Sequence, residues 1–153
     1  MERLGLQPDV QATGTTPTYD GEMAPDLLTM ADVAGEIRTC IAEGDEPSAL
    51  RLAFRCVEIF DRTTESDQLA MLLTPPAPTG DLRYDALLAA IAEYLCVRSG
   101  LAAPNWVNAP DRFVEPWWFV SGISALHADA IVHSPVSFKR RGVFITGGAL
   151  TYA

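Results

Sequence analysis

One stretch, DLRYDALLAAIAEYLCVR from Asp81 to Arg98, constrains this chain more than any other. Tyr84, Leu87 (or Leu88), Ile91, Leu95 and Val97 (or Arg98) recur at the spacing of an α-helix. Ala86, Ala89, Ala90 and Ala92 lie between them, raise helix propensity and let a neighbour approach closely. Asp81 caps the start and Ser99–Gly100 stops the run. A helix apolar nearly all round has no face to give to water. It belongs at the centre, and the rest of the chain is expected to cover it.

The segments before it supply that cover as helices. Leu27, Met30, Val33 (or Ala34), Ile37 and Ile41 form one apolar stripe. Pro25 and Asp26 sit where such a helix starts, and Gly44 supplies its stop. Asp45 or Glu46 opens a second helix with Pro47 in its first turn. Leu50, Ala53 (or Phe54), Val57 and Phe60 (or Asp61) follow the same period. Arg51, Arg55 and Glu58 read as ordinary exposed helix-face pairs. A link of two or three residues makes these two helices an antiparallel hairpin. Thr63–Asp67 carries capping chemistry before a short third helix with Leu69, Met71, Leu72 and Leu73. Pro75, Pro76 and Pro78 then force a stiff, extended connector.

From Leu101 the texture changes. Pro104, Pro110 and Pro116 punctuate a segment rich in aromatics: Trp106, Phe113, Trp117, Trp118 and Phe119. Asn108–Phe113 predicts a one-turn helix. Ile123–His133 predicts a helix with Leu126, Ala130 and Ile131 inward. Ser134 and Pro135 are a good N-cap and N1 pair for a helix over Pro135–Arg141 that ends at Gly142. Val143–Thr146 is β-branched, but with no evident strand to pair with it is expected to lie as an extended segment across the helices. The fold class is therefore all-α: helical hairpins packed around a central helix, with an irregular aromatic-rich C-terminal region. Residues 1–22 are expected to be a disordered tail, since Gly, Thr, Pro, Gln and Asp dominate there. Residues 23–153 are expected to be a single helical domain, an ordinary size for one core.

Charge is uneven. The net charge is −9, yet residues 1–46 hold ten acids and two bases, while residues 134–153 hold three bases and no acid. Such an excess of acids argues against a surface devoted to nucleic acid or anionic lipid. Ten Arg against one Lys, with abundant Ala, points to a GC-rich genome such as an actinobacterium's. Cys40, Cys56 and Cys96 form no CxxC pattern and fit buried free thiols in a reducing compartment. No apolar stretch is long enough to span a bilayer or to serve as a signal peptide, so a cytoplasmic protein is expected.

Few residues point to chemistry. His127 and His133 are six apart, so they do not share a helix face as metal ligands would. His127 with Asp129 has the makings of a general base, but no Ser or Cys nucleophile is spaced to serve it. Two partly buried structural histidines are the plainer expectation. No catalytic residue, metal site or cofactor is assigned. Trp117, Trp118 and Phe119 are candidates for a partner contact, with one tryptophan expected to stay exposed. Lys139, Arg140 and Arg141 form a compact basic cluster, suited to a phosphate backbone or an acidic partner patch, or simply to the end of a helix dipole. Gly142–Gly148 lacks the ending and context of a phosphate loop.

Pro104-Asn105-Trp106-Val107, Pro110-Asp111-Arg112-Phe113, Pro116-Trp117-Trp118-Phe119 and the string Ser134-Pro135-Val136-Ser137-Phe138-Lys139-Arg140-Arg141-Gly142-Val143-Phe144-Ile145 resemble a family of small actinobacterial proteins. In that family a W…P…F…WF segment is followed by SPxxFxxRGxFI. The resemblance covers roughly residues 80–150 and brings no assigned reaction. Proteins of this look sit beside nucleotidyltransferase-like or other toxin-like genes, which implies an antitoxin or accessory role and transfers no functional residue. No helix-turn-helix with a basic recognition helix is visible, which departs from a DNA-binding antitoxin. The expected function is a non-enzymatic protein-binding module that neutralises a neighbouring toxin or enzyme, whose basic site an acidic partner would occupy. The alternatives are a nucleic-acid-associated regulator using Lys139–Arg141 and a small enzyme using His127 or His133.

Overall fold

A computed structural model describes residues 27–151. The tail expected over residues 1–22, and the helix start expected at Pro25 and Asp26, lie outside them. The described chain is mostly helical, and the all-α class holds.

α1 spans Met30–Ala42 and starts at Thr29 rather than Pro25. The reason is a capping box: the Asp32 amide donates to Thr29 Oγ1 at 3.2 Å, and the Thr29 amide donates to Asp32 Oδ2 at 2.9 Å. The Thr29 amide and hydroxyl, which both donate to Asp32 Oδ2, hold the Asp32 carboxyl below its ordinary range. After Gly44, which takes a left-handed conformation, α2 runs from Glu46 to Arg62 with Asp45 as N-cap. α1 and α2 pack closely on each other. α3 spans Glu65–Leu73, and the proline connector carries the chain to α4, Leu82–Ser99.

α4 is the centre of the molecule. Every residue from Tyr84 to Ala92 is buried, as are Leu95 and Cys96. α2, the C-terminal segments and two short 3₁₀ helices all contact it. Its burial runs out at the ends, where Leu82 is exposed and Val97, expected on the inward face, is 72% exposed. Asp85, buried on the same helix, accepts from the Thr79 amide and hydroxyl, both at 2.9 Å, and so ties the proline connector to α4. Among the three thiols, all free, Cys56 and Cys96 are buried and Cys40 is half-buried.

The C-terminal half departs from several expectations. In place of one turn at Asn108–Phe113 there are two 3₁₀ helices, Asn105–Asn108 and Pro110–Arg112. Trp118–Phe119 forms a two-residue strand, β1, paired in parallel with β2, Val143–Phe144, with Trp118 opposite Val143 and Phe119 opposite Phe144. The Val143 segment thus does find a strand partner, in aromatic residues that carry no alternating pattern of their own. α5 spans His127–His133 after a 3₁₀ turn at Ser124–Leu126. Only Ala130 of its expected inward face is buried, and Leu126 and Ile131 are exposed. α6 is short, Val136–Lys139, and Ser134 does not cap it. The buried Ser134 hydroxyl instead lies within donating distance of the carbonyls of Ala130, at 2.6 Å, and Ile145, at 3.0 Å, which share its single proton. It also accepts from the Ile145 amide at 2.8 Å. A longer-range bond just after β2 wins over a local cap.

Candidate partner-binding site

The basic cluster does not form one surface. Arg141 has no exposed area; its guanidinium meets Glu93 Oε1 at 2.5 Å and the carbonyls of Ser137 and Val107, both at 2.7 Å. Arg140 donates to the same Glu93 oxygen at 2.8 Å and to Asn108 Oδ1 at 2.5 Å. Both guanidinium groups also lie over the Phe113 ring. Burial pushes the Glu93 carboxyl up, but the hydrogen bonds from Arg140 and Arg141 outweigh it and hold the group below its ordinary range. The two arginines therefore serve a knot that joins α6 to α4. Lys139 and Arg140 reach the surface, and of the three cations only Lys139 pairs with no described carboxylate.

The aromatic run is split as well. Trp117 is 63% exposed, with its ring tilted 4.7 Å from that of Phe144. Trp118 is half-buried, 5.3 Å from the Tyr84 ring and beneath the Arg83 guanidinium, 5.0 Å from its ring centre. Arg83 is itself held by Glu46 at 2.5 Å and Asp81 at 2.8 Å. Burial pushes the Tyr84 phenol up to about 12. Phe119 stacks on His127 with ring centres 3.9 Å apart, and on Phe144. His133, expected to be part-buried, is exposed; its Nδ1 meets Asp129 Oδ1 at 2.9 Å. Asp129 Oδ2 accepts in turn from the Gly147 amide at 2.9 Å, so the carboxylate fastens the C-terminal arm to α5.

A roomy concavity lies elsewhere. A groove of about 720 Å³ runs along α2, with Val120, Ile145, Ala149 and Leu150 forming its far wall. Its α2 wall is Pro47, Leu50, Arg51, Phe54, Arg55 and Glu58, successive neighbours on one helix face. A smaller concavity of about 320 Å³ shares Pro47, Leu50 and Val120 and extends the groove to Arg83, Tyr84 and Trp118. Trp118 is thus the one residue of the aromatic run that reaches this surface. The helical period of α2 counts Leu50, and Phe54 as an alternative to Ala53, on its core face. In the fold the smaller Ala49, Ala53 and Cys56 take that face with Val57 and Phe60, and Leu50 and Phe54 stay half-buried. The signal in the sequence is an apolar arc on α2 wider than a single core stripe needs. Arg51 and Arg55 stand on the rim. Arg51 donates to Ser48 Oγ at 2.8 Å, and neither arginine has an ion pair among the described residues. Glu58 faces Arg62 at 3.8 Å instead.

Among the described residues, no group of three or more His, Cys, Asp or Glu side chains is placed to hold a metal ion, and no helix is long and apolar enough to cross a membrane. Compared with known protein families, curated proteins and solved structures, the chain gives no match.

Proposed function

We propose that this chain is a non-enzymatic protein-binding module that acts by occupying a partner, in the manner of an antitoxin toward a toxin or a neighbouring enzyme. The observation that carries this reading is the α2 groove. Apolar side chains on both walls are left half-covered, in a position where a partner's side chains would complete the packing. The cations expected to serve a nucleic-acid regulator are largely spent, since Arg140 and Arg141 neutralise Glu93. The residues gathered at the groove are packing and rim residues rather than a nucleophile with a base. The acids exposed on α1 and just after it, such as Glu36 and Glu43, offer a second, oppositely charged surface to a basic partner.

The test is co-expression of the full chain with the product of the adjacent gene, followed by gel filtration. Co-elution that is lost on Leu50→Asp or Phe54→Asp, with helical circular dichroism retained, is the expected result. Separate elution of the two proteins at stoichiometric amounts overturns the reading.

A further inference from the structure

Resting on that reading of the groove, we infer that its occupant is an amphipathic partner helix carrying two carboxylates one turn apart. The shape argues for a helix. Pro47 and Glu58 bound the α2 wall, and the span between them is about 16 Å, three turns at 1.5 Å per residue. A partner helix laid along that wall presents anchors at i, i+4 and i+7 to Leu50, Phe54 and Leu150, three of the groove's apolar side chains.

The charge argues for acids. Arg62 faces Glu58, Arg83 faces Asp81 and Glu46, Arg98 faces Asp61, and Arg140 faces Glu93. Arg51 and Arg55 form no ion pair among the described residues, Asp45 acting on Arg51 only from beyond contact distance, and they stand four residues apart on one side of the groove. Glu58, the groove's own acid, is turned to Arg62. In a chain of net charge −9, this leaves a local positive rim beside an apolar floor. A partner helix with Glu or Asp at i and i+4 beside its apolar stripe matches both features, and a basic helix matches only one. A nucleic-acid strand would find the two cations but would press an apolar floor against its phosphates.

The probes are three fluorescein-labelled 14-residue peptides with leucines at i, i+4 and i+7. They are identical except for a pair of Glu, Gln or Lys residues flanking the apolar stripe four apart. Anisotropy titration with the full chain is expected to rank them Glu, Gln, Lys, with Glu about tenfold tighter than Lys at low salt. The gap is expected to narrow as salt rises. The exposed double variant Arg51→Glu, Arg55→Glu is expected to invert the order. Equal binding of all three peptides overturns the acidic preference and leaves the protein-binding reading standing. No binding of any peptide, with co-elution intact, overturns the helical occupant alone; loss of both sinks the two together. Displacement of the Glu peptide by a random oligonucleotide overturns the assignment in favour of nucleic acid. A dimer in sedimentation that the double variant dissociates overturns it in favour of a second copy of this chain.

Discussion

A guanidinium with no exposed surface persists only where its charge is answered, even when one donor, here Arg141 Nε, goes without a partner. Arg141 is answered by Glu93 and two carbonyls, and Glu93 in turn also takes Arg140. Glu93→Gln leaves a buried cation without its counter-charge. That substitution is expected to cost about 3 kcal/mol in urea unfolding. Arg62→Ala, at an exposed i,i+4 pair with Glu58, is expected to cost at most about 0.5 kcal/mol. The pH dependence follows from the direction of the Glu93 shift. Its folded-state pKa is depressed, so its contribution is full above the unfolded value of about 4.3 and is lost as pH falls through the folded value. Below about pH 4 the wild type is therefore expected to lose stability more steeply than Glu93→Gln. A matching contrast exists between two left-handed glycines. Gly100, φ 72°, ends α4 with open space where a methyl group would stand, whereas a methyl group on Gly142, φ 77°, collides with the Val114 carbonyl oxygen. Gly100→Ala is expected to cost about 1 kcal/mol and Gly142→Ala about 2–3 kcal/mol, read from the same unfolding curves.

At the scale of the element, how much the sequence tells depends on whether local signals compete with distant ones. α1 starts where Thr29 and Asp32 close a capping box within four residues. Thr29→Ala is expected to cost about 1 kcal/mol. Ser134-Pro135 looks like an equally good local start, but the hydroxyl is drawn to Ile145, eleven residues on. Ser134→Ala strands a buried Ile145 amide and is expected to cost about 2 kcal/mol, with faster hydrogen exchange at that one amide as its signature. The helical periods of α1, α2 and α4 are legible because each is set within its own turns. The β1–β2 pairing is not, since two-residue strands 25 positions apart are specified by the core beneath them rather than by alternation. The fate of Arg141 is hidden for a similar reason: a Lys-Arg-Arg triplet reads as surface, and its partner Glu93 lies on another helix. The clue in the sequence is Glu93 itself, one acid between Ala92 and Tyr94 on an otherwise apolar stretch. The groove is half legible, in Leu50, Phe54, Arg51 and Arg55 on α2, while its far wall from Ile145 to Leu150 depends on where β2 comes to rest.

At the scale of the molecule, stability should follow distance from α4. A helix buried without a break from Tyr84 to Ala92, and packed against α2, α6 and β2, opens only when all of its cover leaves. α5 is the opposite case. It buries only Ala130, leaves Ile131 and Val132 exposed, and is held by Ser134, the Asp129–Gly147 bond and the stack of Phe119 on His127. In native-state hydrogen exchange, the amides of Ile91 and its neighbours are expected to exchange only through global unfolding, at a free energy in the range of about 5–15 kcal/mol usual for such domains. Amides of Ile131 and Val132 are expected to exchange through local opening, at about 1–3 kcal/mol. Low concentrations of urea separate the two classes: exchange of the α4 amides steepens with denaturant because opening exposes the whole core, and exchange of the α5 amides barely responds. The groove lies between these regimes, with its α2 wall anchored on the core and its far wall built from the C-terminal arm that Asp129 and Ser134 fasten. Binding of the Glu peptide is accordingly expected to slow exchange in residues 145–150 far more than in α4, where protection is already global. Uniform slowing across α4 and the arm would show instead that the arm is as firmly held as the core.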